Sequence, residues 1–158
     1  MKEVLFDELD EIKQKLLNAA DEVKENAYNP YSKFFVGAAI LTDHGEIITG
    51  TNVENVAYGS TICAERMAIG RANAIGKRIF LSMAIIARGD NTDQKNVTGP
   101  CGACRQMIFE FSCLSGKDIE IIMSNTRKDK IIISTIRELL PMAFGPEGLG
   151  VVIEEYEQ

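Results

Sequence analysis

The sequence predicts an α/β protein, a mixed sheet with helices on both faces. Three observations carry this. Helical-period and strand-like segments alternate along the chain as α-β-β-α-β-α-β-β-α. Residues 80 to 87, FLSMAIIA, form an unbroken apolar run of buried-strand length, as a strand covered on both faces requires. No linker-like stretch and no repeat interrupts the 158 residues, so one domain spanning 1–158 is expected, large enough for a sizeable core.

The elements follow in order. Leu9, Ile12, Leu16, Leu17, Ala20 and Val23 recur at helical spacing and predict an amphipathic helix over 7–26, with Asp7 as its N-cap. Pro30, in NPYSK, ends it. FFVGAAIL and EIITGTN, joined by TDHG, read as a β-hairpin. VENVAYGST is a loop. Thr61 is a candidate cap for a helix from about Cys63 to Ile75, and Gly76 closes it. After the 80–87 strand comes a polar loop over 88–100, then a helix from about Gly102 to Leu114. DIEIIMSN and KIIIS are strands. STIRELLP is a short helix whose Thr135 and Glu138 form a capping-box pattern.

Composition excludes several functions. Hydrophobic residues make up 46% and charged residues 25%, an ordinary globular balance. The net charge of −6 and the lack of a Lys/Arg run argue against nucleic-acid binding. The N-terminal MKEVLFDELDEIKQKLL is interrupted by charge every few residues, so it reads as neither signal peptide nor membrane span. A reducing cytoplasmic setting is expected, where clustered cysteines serve as metal ligands or catalytic groups more often than as disulfides.

The cysteines carry the chemistry. Cys101 and Cys104 are spaced i,i+3 at one helix start, and Cys63 stands at another. Helix starts offer unpaired N–H groups and a positive dipole end, which favour the thiolate that binds metal. Cys113 lies nine residues past Cys104, roughly the opposite face of a continuous helix and some 13 Å along it. His44, the only histidine, sits in a polar turn. Three cysteines without a fourth ligand favour a zinc that keeps one position for water. Three thiolates leave such a centre formally negative. The helix dipoles and Arg66, i+3 from Cys63, compensate that charge, and Glu65 is placed to move protons beside the water. Other readings remain: a redox or structural C-x-x-C, a buried apolar Cys63, Glu65 and Arg66 as surface charges, or a non-catalytic zinc module completed by Cys113 or His44. The joint pattern C-A-E … P-C-x-x-C is the three-cysteine form of the signature of zinc nucleobase deaminases.

AYNPYSKFFVGAAI, GTNVENVAYGSTICAER, PCGACRQ and ELLPMAFGPEGL, in this order, resemble segments of the small, three-cysteine, homotetrameric cytidine deaminases, over roughly residues 10 to 150. TNVENVAY is the narrower motif and points to the nucleoside branch. The resemblance implies a three-layer α/β/α sandwich on a five-stranded mixed sheet. It implies one Zn²⁺ per subunit, held by Cys63, Cys101 and Cys104, with Glu65 as proton shuttle. It implies that Phe34 packs on the pyrimidine, that Asn52 and Glu54 bind the ribose 3′-hydroxyl, and that backbone near Thr61, Ala64 and Pro100 meets the base edge. Tyr58 and Phe144 would complete a neighbouring subunit's site in a homotetramer. The implied reaction is hydrolytic deamination of cytidine and 2′-deoxycytidine, as in pyrimidine salvage. Glu54, acceptor-only when ionised, rewards a free hydroxyl and repels a 3′-phosphodiester, so a free nucleoside is expected in place of a polynucleotide. Deaminases of nucleoside antibiotics, guanine-type bases or single-stranded nucleic acid are the competing substrate classes. The polar RGDNTDQKN loop, the tail GVVIEEYEQ and Gly59 depart from the family pattern.

Overall fold

The computed structural model describes residues 1–153. The acidic end of the tail lies outside the described residues. Strands are β1 (Lys2–Val4), β2 (Phe35–Thr42), β3 (Ile47–Thr51), β4 (Phe80–Arg88), β5 (Glu120–Ser124) and β6 (Ile131–Thr135). Helices are α1 (Glu11–Val23), α2 (Ala64–Ala74), α3 (Gly102–Leu114) and the single turn α4 (Ile136–Leu139).

The strands form one sheet in the order β1-β6-β5-β4-β2-β3. Only β4 and β5 pair in parallel; every other pair is antiparallel, so the sheet is mixed as expected. It holds six strands where five were expected. The extra strand, β1, pairs Lys2 with Ile133 and Val4 with Ile131 along the outer edge of β6. Its polar, three-residue sequence carries little strand signal. It forms because β6 presents an otherwise unpaired row of backbone groups.

The pleat of β4 divides the core. Ala84 and Ile86 point to the layer beneath α1, with Leu16, Leu17 and Ala20. Met83 and Ile85 point to the layer beneath α2 and α3, with Ala68, Ile69 and Ile108. Both layers are fully buried at their centres, where each large apolar side chain contributes about 1.5–3 kcal/mol. This is the expected three-layer sandwich.

Two helix starts shift from their expected positions. α1 begins after Asp10, whose side chain accepts from the Lys13 N–H at 2.9 Å, and not after Asp7. Leu9 stays extended and buried beneath α1, which delays the helix. α2 begins after Cys63, and Thr61 does not cap it. Ile62 is bridged to Val53 in extended geometry, so the chain cannot coil before residue 63. The Thr135–Glu138 capping box forms as expected, and Gly76 ends α2 at φ +77°.

Both α2 and α3 run against the direction of the parallel pair, so both start at the carboxyl end of β4 and β5. Ligand sites in open α/β sheets gather at that edge. Gly50 helps set the start of α2: a Cβ there would lie 2.7 Å from the Ala64 carbonyl oxygen and 2.9 Å from the Ala68 Cα.

Candidate active site

Cys63 and Cys101 are the N-cap residues of α2 and α3, both with extended backbone and no side-chain capping bond. Their thiols are therefore left for other work. Cys104, one turn into α3, is fully buried. The Cys63 and Cys101 sulfurs stand 3.9 Å apart, those of Cys101 and Cys104 3.5 Å, and all three lie within 4.8 Å of one another. Tetrahedral Zn²⁺ with bonds of about 2.3 Å separates its sulfur ligands by about 3.8 Å. The donor set and its spacing fit zinc. Among the described residues, the cluster able to hold a metal contains these three ligands and no fourth. His44 is exposed beside Asp43, and Cys113, at the far end of the continuous α3, is not part of the cluster.

Electrostatics favour thiolate at Cys63. The Cys63 thiol is pulled down to about 5, first by a hydrogen bond with Cys104 and then, against its partial burial, by the Arg66 guanidinium. The same bond, with burial, pushes Cys104 up. A divalent cation bound by the cluster would favour thiolate and displace thiol protons. Arg66 also donates from Nη2 to the Thr61 carbonyl at 3.0 Å, which fixes the guanidinium beside the helix start.

Glu65 is 4% exposed, in the first turn of α2. Burial pushes its carboxyl up to about 7, opposed by its own backbone N–H and by the neighbouring Cys104 thiol. It is not one of the clustered ligands. A carboxyl so placed can both accept and return protons near neutral pH.

The other expected residues fall into three groups. Ala64 is buried at the first position of α2, and Pro100 is buried just before Cys101, its carbonyl accepting from Arg105 Nε at 2.9 Å. Thr61 is half-buried, with Oγ1 accepting from the Asn55 N–H at 3.2 Å. Phe34, Asn52 and Glu54 come together at the start of β2. Asn52 is almost buried; its Nδ2 donates to the Phe34 carbonyl and its Oδ1 accepts from the Val36 N–H, both at 2.9 Å. Glu54 Oε2 accepts from the Tyr31 and Ser32 N–H groups at 2.9 and 3.2 Å. Slight burial pushes the Glu54 carboxyl up, but the Ser32 hydroxyl, these two N–H groups and the Lys33 charge outweigh it and hold it below the usual range.

Tyr58 and Phe144 form the third group, at 72% and 65% exposure. Tyr58 packs edge-to-face with the Tyr31 ring, with centroids 5.7 Å apart. Phe144 is tethered through its carbonyl, which accepts from Gln106 Nε2 at 2.8 Å. Sequence reasoning passed over Tyr31, Ser32, Arg105 and Gln106. Arg105 and Gln106 follow Cys104 directly and bind Pro100, Leu139 and Phe144 backbone. Their adjacency to C-x-x-C was the available signal.

A mixed α/β sheet with a three-thiol cluster at two helix starts and a buried glutamate beside it defines a zinc-dependent hydrolytic deaminase. Comparison with known proteins narrows the class. Residues 10–115 match the model of the cytidine and deoxycytidylate deaminase zinc-binding region, and the chain belongs to that family. It is 41% identical over 142 residues to a cytidine deaminase of Sporosarcina psychrophila, covering 90% of this chain and 98% of that one. A cytidine deaminase of Halalkalibacterium halodurans is 42% identical over 137 residues, covering 87% and 97%. The crystal structure of cytidine deaminase from Burkholderia pseudomallei superposes with a TM-score of 0.74 at 38% identity, covering 82% of this chain and 97% of that one.

Proposed function

We propose that this single-domain chain deaminates cytidine and 2′-deoxycytidine hydrolytically, giving the uridine products and ammonia. The observation that carries this reading is Glu65, a buried, proton-accepting carboxyl beside three zinc-binding thiols. Cys63, Cys101 and Cys104 would hold the metal. Zinc, when bound, lowers the pKa of an activated water toward neutrality.

The remaining work falls to side chains. Glu65 takes a proton from the attacking water and delivers it to ring N3 as oxygen adds at C4. It then takes the proton of the new C4 hydroxyl and passes it to the departing amine as the C4–N bond breaks and the C4 carbonyl forms, so cytidine and water become uridine and ammonia with both water protons accounted for. Phe34 packs on the pyrimidine, while backbone near Thr61, Ala64 and Pro100 orients its edge. Arg66 offsets the negative charge of the thiolates. Asn52 and Glu54 take the ribose 3′-hydroxyl. Glu54 Oε2 is engaged by Tyr31 and Ser32, and Oε1 is the oxygen left to meet the sugar.

Exposure supports the assembly part of the reading. Val56, Tyr58, Met142 and Phe144 are large apolar side chains on the surface, as expected if they pack against neighbouring subunits of a homotetramer. Among the described residues no helix is long and apolar enough to cross a membrane. Thiol ligands suit the reducing cytoplasm, where we place the enzyme. An ultraviolet assay with cytidine and 2′-deoxycytidine on zinc-loaded protein tests the reading. Conversion to the uridine products is the expected result. Inactivity of zinc-replete protein on both nucleosides would overturn it.

A further inference from the structure

Lys33 adopts φ +54°, a left-handed conformation uncommon outside glycine, and its N–H closes a turn onto the Asn29 carbonyl at 3.1 Å. Such a bend persists where surrounding contacts over-determine it, and those contacts frequently belong to a functional site. Here they come from the two residues assigned to the sugar. Glu54 takes the N–H groups of Tyr31 and Ser32, and Asn52 grips the backbone on either side of Phe35. Between them stands Ser32. Its Oγ accepts from the Phe34 N–H at 3.1 Å, and its own N–H donates to Glu54 Oε2 at 3.2 Å.

We propose that Ser32 is a positioning residue, whose hydroxyl holds the Phe34 backbone while its own N–H holds the Glu54 carboxylate, and which so sets the spacing between the base-packing ring and the sugar-binding oxygen. This deepens the proposed function and rests on it for the identity of the substrate. The Phe34 N–H and one Glu54 carboxylate oxygen are thus both held by one residue, the first by its hydroxyl and the second by its N–H. A shift of the turn therefore moves the ring and frees Glu54 together. Because the linkage acts on substrate placement and touches neither the thiol cluster nor Glu65, its loss falls on KM and on recognition of the 3′-hydroxyl.

Two measurements on the full-length, zinc-loaded protein test this. In the first, wild type, Ser32→Ala and Ser32→Thr are assayed with cytidine and 3′-deoxycytidine. One hydrogen bond of this kind corresponds to about 2–10-fold. The expected result is a KM rise of that size for cytidine in Ser32→Ala, kcat within about two-fold, a smaller preference for cytidine over 3′-deoxycytidine, and recovery in Ser32→Thr. An unchanged KM, or an unchanged preference, would overturn the proposal. The second measurement needs no substrate: hydrogen exchange across residues 29–36. Exchange should accelerate in Ser32→Ala and in Glu54→Gln and stay slow in Ser32→Thr; equal protection in all variants would overturn the linkage. Should wild type fail on cytidine, the substrate reading fails, and the exchange measurement still decides what Ser32 does.

Discussion

The sulfur of Cys63 lies 3.9 Å from that of Cys101, although 38 residues separate them in sequence. Each caps a different helix, and no side-chain capping bond occupies either thiol. The pair is held by the packing of α2 and α3 on one face of the sheet, with Cys104 as the third sulfur one turn further on.

That relationship yields the first prediction. Metal analysis should find about one zinc per chain. Cys63→Ala, Cys101→Ala and Cys104→Ala should each lose it, because two thiolates do not make a stable zinc site. Cys113→Ala should retain it. Zinc persisting in Cys101→Ala, or vanishing in Cys113→Ala, would contradict the ligand set.

Glu65→Gln keeps the shape of the side chain but removes its ability to carry a proton. General acid–base catalysis contributes about 10²–10⁴-fold, and Glu65 serves more than one transfer, so kcat should fall by the top of that range or beyond. Zinc content should be unchanged, since no ligand is lost. The check is kcat together with zinc stoichiometry: retained activity would make Glu65 a bystander, and loss of activity with zinc would make it structural.

Glu54→Gln and Asn52→Ala should raise KM for nucleosides. Hydrogen bonds to a charged group account for about 1.5–3 kcal/mol, so about ten-fold or more is expected for Glu54→Gln. Asn52→Ala also leaves the Val36 N–H and the Phe34 carbonyl without their partner, so a lower melting temperature should accompany its KM defect. Deamination of a cytosine-containing single-stranded oligonucleotide as fast as of cytidine would contradict the role assigned to Glu54.

Assembly is tested at Phe144. If its exposed ring completes a neighbour's site, Phe144→Ala should impair catalysis while leaving the fold of each subunit intact. Light scattering at assay concentration reads the oligomer; a fully active monomer would refute the arrangement.

The fifth prediction concerns pH and the tie between the turn Lys24–Asn26, which follows α1, and β4. The hydrogen bond from Arg88 holds the Glu25 carboxyl down at about 2, from an ordinary value of 4.5. A depressed carboxylate contributes stability that is fully present above pH 4.5 and is lost as pH falls through about 2. Glu25→Gln should therefore unfold at a lower temperature than wild type at pH 6, and the difference should close toward pH 2. Half of the Glu25 side chain is exposed, so the effect is modest. A difference that does not shrink in acid would show that the ion pair is not its source.

Local pattern was enough for much of the fold. The continuous apolar run of β4, the helical spacing in α1 and the capping box of α4 are each encoded within a few residues; β4 and the α4 capping box form where they were read, and α1 forms within its expected span, from Glu11 to Val23. α3 runs from Gly102 to Leu114 as its sequence implies. Where neighbours in space intervene, the reading slips: extended Leu9 delays α1, and the Ile62–Val53 bridge passes the cap of α2 from Thr61 to Cys63. Strand β1 is the extreme case, since Lys2–Val4 is a strand only because β6 lies alongside it.

The site divides along the same line. Residue identity and spacing alone marked Cys63, Glu65, Cys101 and Cys104, because thiolate ligation and proton transfer need particular functional groups at helix starts. No spacing could say that sulfurs 38 residues apart would meet within 4 Å, or that Asn52 and Glu54 would grip the turn carrying Ser32 and Phe34. Those are distances between segments remote in sequence. They are decided when the sheet brings the carboxyl ends of β4 and β5 beneath two helix starts and lays the end of β3 beside β2.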